Sequence, residues 1–158
     1  MPIYLQIDGI QGDATHETHK NWMDIEALHW NVSRNMNTSA GSTANREASE
    51  PTVSEMVLTK VTDSSSTKLF QEACTGKTGK RTVIHLVTTG SPGDTYVEYT
   101  LTNTLIANYS VDTSGDRPVE TIRLNFTKME VKYVPYDDMH SPMSPMIASY
   151  DLATTKAA

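Results

Sequence analysis

From Val97 to Val111 apolar and polar residues alternate almost without a break. Val97, Tyr99, Leu101, Leu105, Ala107, Tyr109 and Val111 fall on one face; Glu98, Thr100, Thr102, Thr104, Asn108 and Ser110 fall on the other, with Ile106 the exception. A period of two predicts a strand with one buried and one solvated face. At about 3.3 Å per residue this run of 15 residues would reach roughly 50 Å, longer than most strands of a compact domain, so a bend is expected. Thr113-Ser-Gly-Asp-Arg-Pro118 is rich in turn formers, and a second alternating run follows to Tyr133. There Ile122, Leu124 and Phe126 share one parity, while Met129, Val131 and Tyr133 share the other. The buried face therefore flips near Thr127, as at a bulge or where a strand passes from one sheet to another.

The same pattern places the other elements. Ile3, Leu5 and Ile7 alternate in a first strand that runs to Ile10. A second strand spans about Trp22 to Arg34, with Leu28, Trp30 and Val32 on a core face and Ala27, His29, Asn31 and Ser33 opposite. Val53–Val61 and Arg81–Thr89 supply two more. Leu69, Phe70, Ala73 and Cys74 recur at helical spacing between Asp63-Ser-Ser-Ser66, a source of N-caps, and Gly76 at the C′ position. They predict a helix over about 64–75, too short to stand alone and therefore docked on a sheet. Between Asn35 and Pro51 Met36 is the one large apolar residue, and so long a polar loop inside a domain signals function or disorder. Residues 1–135 thus form one domain with an extended loop at 35–51, and 136–158 read as a Met-, Pro- and Ser-rich tail with one short strand, Met146 to Leu152. The predicted fold class is mainly β: a small β-barrel of two packed antiparallel sheets with one short α-helix and an extended loop.

Composition narrows the functional classes. With 158 residues, 37% hydrophobic and 20% charged, the chain has enough apolar material for a core. The net charge of −6 argues against a nucleic-acid partner, which needs clustered Lys and Arg. No apolar run suits membrane insertion by a helix. Met1-Pro-Ile-Tyr-Leu-Gln-Ile-Asp8 has neither a basic region nor an apolar signal core, which predicts synthesis in the cytoplasm without a cleavable export signal. A single cysteine excludes an internal disulfide.

Candidate chemistry is sparse. His16-Glu17-Thr18-His19 spaces its histidines i and i+3 in a polar connection, unlike the i and i+4 pair of a metal-binding helix, and reads as a solvated loop. Cys74 lies on the apolar stripe of the predicted helix and reads as core rather than as a nucleophile. There is no Gly-x-Ser-x-Gly elbow and no phosphate loop. The expectation is no enzyme activity, no catalytic residue, no metal and no cofactor.

Four segments, in order and at matching spacing across about residues 1–135, resemble the haemolysin-coregulated protein family, the tube subunit of the bacterial type VI secretion system. They are Ile3-Tyr-Leu-Gln-Ile-Asp-Gly-Ile-Gln-Gly12, Thr18-His-Lys-Asn-Trp-Met-Asp-Ile-Glu-Ala-Leu-His-Trp30, Lys68-Leu-Phe-Gln-Glu-Ala-Cys74, and Pro118-Val-Glu-Thr-Ile-Arg-Leu-Asn-Phe-Thr-Lys-Met-Glu-Val-Lys-Tyr133. The resemblance implies six copies in a ring, rings stacked into a hollow tube inside a contractile sheath, a spike at the tip, and effector proteins carried in the lumen. It also implies release from the cell. On that reading Ala27, His29, Asn31 and Ser33 face the lumen, and Met36, Thr38, Arg46, Glu47 and Glu50 of the extended loop meet a neighbouring subunit. A phage-like tail-tube protein is the alternative within the same class. A soluble β-sandwich binding module would be expected to show clustered exposed aromatics, and a secreted hydrolase would need a catalytic constellation that the chain lacks.

Overall fold

The structure, a computed structural model, describes residues 1–37, 40, 41, 47–90 and 92–157, with backbone alone at 47 and 48. The strands are β1 (Ile3–Ile7), β2 (Met23–Ile25), β3 (Ala27–His29), β4 (Val32–Ser33), β5 (Met36–Asn37), β6 (Glu47–Ala48), β7 (Thr52–Val53), β8 (Met56–Val61), β9 (Lys80–Val87), β10 (Thr95–Asp112), β11 (Val119–Asn125), β12 (Lys128–Tyr133), β13 (Met146–Asp151) and β14 (Lys156–Ala157). Among the described residues there is a single helix, α1 (Ser66–Thr75).

Two antiparallel sheets share β10. The first runs β2-β1-β9-β10-β12-β13-β14, the second β10-β11-β8-β3. The early half of β10 pairs with β9 and β12, and its late half with β11. Slips of register at Leu101–Thr104 and Ile106–Asn108 mark the bend. Asn103 has φ 55° there, and Gly79 lies so close that a Cβ would meet the Asn103 side chain at 1.7 Å. Leu101 and Thr104 are buried and Ile106 packs on the core, so the inward face changes parity along the strand. That is why the alternation expected from Val97 to Val111 breaks at Ile106 and leaves Leu105 and Val111 outside. The flip near Thr127 has the second expected cause: β11 belongs to one sheet and β12 to the other.

The expected mainly β fold of two packed antiparallel sheets with one short helix is what the chain adopts. It is not a closed barrel. The sheets meet at β10 and again at Glu26, where the chain steps from β2 in the first sheet to β3 in the second, and the Glu26 N–H donates to the Thr59 carbonyl (2.7 Å). The core between them is built by Ile3, Leu5, Ile7, Met23, Ile25, Met56, Leu58, Leu69, Ile84, Leu101, Ile122, Leu124, Phe126 and Met129.

The helix departs from expectation in its packing. Leu69 is its buried residue, Phe70 is 62% exposed and Cys74 is exposed. Cys74 is therefore not core: a short helix lying against a sheet needs one row of contacts, and Leu69 supplies it. Ser65 is the N-cap position but makes no side-chain cap; the Asp63 carboxylate instead accepts from the Ser65 N–H (2.8 Å) and hydroxyl. Gly76 has φ −63°, so it serves not through the left-handed conformation but by its closeness to the Glu72 carbonyl, 2.6 Å from where a Cβ would stand.

Candidate functional site

The expected second strand is broken into β2, β3 and β4, because the chain changes sheets at Glu26 and leaves the sheets altogether after His29. Ala27, His29, Asn31 and Ser33 are all exposed, and Leu28 and Trp30 pack against the core. Val32 is 54% exposed, contrary to its expected place on the core face, since by then the chain has left the sandwich. Register extends the polar face across the second sheet. Ala27 stands beside Thr59, Thr121 and Ser110, and His29 beside Val57, Arg123 and Asn108. Directly opposed residues of an antiparallel ladder point the same way, so these side chains form one outer surface, mixed polar with Arg123 exposed upon it.

Beyond Asn31 the chain runs out as an arm and returns. Two-residue ladders, Val32↔Val53 with Ser33↔Thr52 and Met36↔Ala48 with Asn37↔Glu47, alternate with serine clamps. The Ser54 N–H donates to the Asn31 carbonyl while Ser54 Oγ accepts from the Asn31 N–H, both at 2.8 Å. Ser49 repeats the device on Asn35 at 2.9 and 3.0 Å. Each serine hydroxyl replaces a ladder bond where the strands diverge, so a segment with few apolar residues can still hold a ribbon. Met36 is 48% exposed and Glu50 is exposed. Thr38 and Arg46 lie outside the described residues, as does the side chain of Glu47.

Between the base of the arm and the first sheet lies an apolar cleft of about 510 Å3. Trp30, Val32, Met36 and Val53 form one wall, and Met129, Val131, Tyr150 and Leu152 the other. Met146 (65% exposed) and Ile147 (57%) lie on β13, the strand that supplies part of the second wall. Sequence reasoning missed this wall, because residues after Pro135 read as a tail. The short strand expected from Met146 to Leu152 is present as β13; what the tail reading lacked is that it pairs with all of β12.

The histidine pair is not a solvated loop. His19 is 2% exposed, stacked on Tyr4 (4.6 Å between ring centres) and edge-on to Trp22 (4.8 Å). His19 Nε2 stands 2.8 Å from His85 Nδ1, a partner 66 residues away that no local pattern could disclose. Burial lowers the His19 pKa to about 4, helped by His85 and His16.

A second buried polar group ties the helix to the sheet behind the polar face. Lys60 Nζ, fully buried, donates to Asp63 (2.9 Å), Glu120 (3.2 Å) and the Val61 carbonyl (3.0 Å). Burial alone would raise the Glu120 carboxyl, but hydrogen bonds from Ser66 and Thr62 and the Lys60 charge outweigh it and hold it below its ordinary range. Tyr109, against Glu120, is pushed up to about 12 by burial and by that carboxylate.

Comparison with known proteins meets this geometry from three directions. Residues 4–133 match the family model described as type VI secretion system effector, Hcp. The chain is 28% identical over 138 residues to Protein hcp1 of Pseudomonas aeruginosa strain PAO1, covering 84% of this chain and 83% of that one. Among solved structures, one described as a type six secretion system protein superposes with a TM-score of 0.91 at 23% identity, over 99% of both chains. Hcp1 from Salmonella typhimurium superposes with a TM-score of 0.80 at 25% identity, over 99% of this chain and 98% of its own. The chain belongs to the Hcp family of type VI secretion proteins.

Proposed function

We propose that this chain is the structural subunit of a type VI secretion inner tube, assembling as six copies in a head-to-tail ring whose rings stack. In this reading Ala27 and His29, on the exposed polar face of the second sheet, line the lumen together with Asn31 and Ser33 at the root of the arm, and meet effector proteins. The arm, through Met36, Thr38, Arg46, Glu47 and Glu50, reaches a neighbouring subunit. The tube is driven out with its spike by a surrounding sheath, and the role is mechanical rather than enzymatic.

The observation that carries the reading is the apolar cleft. Val32, Met36 and Met146 are each about half exposed or more; Val32 and Met36 line a cavity with few polar atoms, and Met146 stands on β13 at the parity of Ala148 and Tyr150, which line it too. A chain that works alone rarely leaves such a patch in water, whereas a head-to-tail ring would cover it with the neighbour. The test is Val32→Asp with Met36→Asp. Both side chains are outside the core, so the monomer should keep its melting temperature within a few degrees. Sedimentation should show that the assembly is lost. An oligomer of unchanged size and stability in the double variant would remove the cleft from the interface.

A further inference from the structure

Residues 11–22 connect β1 to β2 and lie against the first sheet through a row of side chains. His16 Nε2 is 2.7 Å from the Pro92 carbonyl, His16 Nδ1 is 3.0 Å from His19 Nδ1, His19 Nε2 is 2.8 Å from His85 Nδ1, and His85 Nε2 is 3.0 Å from a Glu98 carboxylate oxygen. The Thr18 hydroxyl sits beside the two Nδ1 atoms, at 3.2 and 3.0 Å. Both ends of the row, a carbonyl and a carboxylate, can only accept.

Counting hydrogens shows what such a row tolerates. Its four contacts need one hydrogen each, and three neutral imidazoles carry three. The missing one falls naturally at the Nδ1–Nδ1 contact, where the Thr18 hydroxyl can donate to one bare nitrogen. One added proton completes the row. A second would set two N–H groups facing each other across about 3 Å and bury a second positive charge, so a contact must break. We propose that this row is an acid-sensitive latch, which holds the 11–22 connection on the sheet while it carries at most one added proton and releases it when a second arrives.

Release would have defined consequences. The connection covers a small cluster of Tyr4, Ala14, Val87 and Trp22, apart from the main core. It also carries Asp13, whose carboxylate accepts from the Ser64 N–H (3.2 Å) and hydroxyl (2.5 Å) just before α1. Opening would wet Trp22 and free the front of the helix. The charged groups around the row set its balance. Glu98 on β10 and Asp24 on β2 favour an added proton, while Lys132 on β12 and Arg81 on β9 oppose it. Tyr4 on β1 stays neutral in acid, its pKa raised by burial and then by Asp24. Burial is the leading cause that lowers both His85 and His19, and His19, the deeper ring, is lowered to about 4. A folded value below the ordinary 6.5 means that the hold is complete above that pH and is lost as the pH falls toward 4.

The test uses the full chain with Trp30→Phe, which leaves Trp22 as the remaining tryptophan. Trp22 emission, amide exchange over residues 12–22 and far-ultraviolet dichroism are followed from pH 8 to 3.5. The latch predicts a step in emission and exchange between pH 6.5 and 4 at unchanged dichroism, the closed-to-open ratio falling by up to roughly tenfold per pH unit. His19→Gln, which cannot take a proton, should remove the step. His16→Gln, at the more exposed end of the row, should move it at least one pH unit lower, and decides the matter alone if His19→Gln does not fold. The proposal is overturned if the step is absent, if it coincides with loss of the dichroism signal, or if it persists unchanged in the variants that fold.

Discussion

Lys60 shows most sharply how single residues constrain this fold. A fully buried ammonium is tolerable only with its partners, Asp63 and Glu120, in place. Lys60→Met should therefore destabilise the protein by about 3–5 kcal/mol, because it strands two carboxylates rather than because the ion pairs themselves contribute that much. Lys60→Met with Glu120→Leu should recover much of the loss in urea titrations. The two carboxyls also predict a direction with pH. For each, burial acts to raise the value, while serine hydrogen bonds and Lys60 hold it below the ordinary 3.8 of Asp63 and 4.5 of Glu120. Their contribution is thus complete above those ordinary values and is lost as pH falls through the lower folded ones. Acid titration of Lys60→Met should show a weaker fall of stability in that range than the parent chain.

At the scale of elements, legibility followed the distance between the residues that matter. β1 and β11 were readable because their neighbours in sequence carry the alternation; β8 and β9 were readable as short apolar runs with large residues on both faces. The corner at Thr127 was readable as a change of parity. The break of the second strand at Glu26 was not, since a step between sheets after three residues leaves too short a run to show a period. Phe70 and Cys74 misled because a helical stripe reports only that a helix is amphipathic, not how much of its stripe the sheet can cover. The His19–His85 contact and the cleft wall on β13 depend on pairings across the molecule. The arm lies between these cases: its polarity and length were plain, and its ribbon form rests on Ser49 and Ser54, two hydroxyls that local pattern reads as loop. Trp30, at its root, packs on the core and meets Tyr99 edge-on at 5.8 Å. Trp30→Ala should cost about 3 kcal/mol, near the lower end for a large aromatic because one side of the ring already borders the cleft. Replacing residues 38–48 by a short Gly-Ser turn should leave a folded sandwich with a near-native melting temperature, since loop closure changes only logarithmically with length. Ring stacking and export should fail. Wild-type export from the shortened chain would show that the arm is dispensable.

For the whole molecule, the features join into one design. Two sheets enclose a core, one outer face is polar and broad, an arm extends from one corner, and an apolar cleft opens at its base. In the proposed tube the polar face would be the wetted inner wall, and the arm and cleft would hold neighbouring subunits. Membership of the Hcp family supplies the context of type VI secretion. Ring formation is the central claim, and imaging the purified full-length chain by negative stain, with its native mass taken from the same sample, tests it most directly. The account predicts closed rings with six-fold symmetry and a central hole, and a mass of six times 17.5 kDa, about 105 kDa. Particles without a hole, with the mass of one chain at every concentration tried, would contradict it.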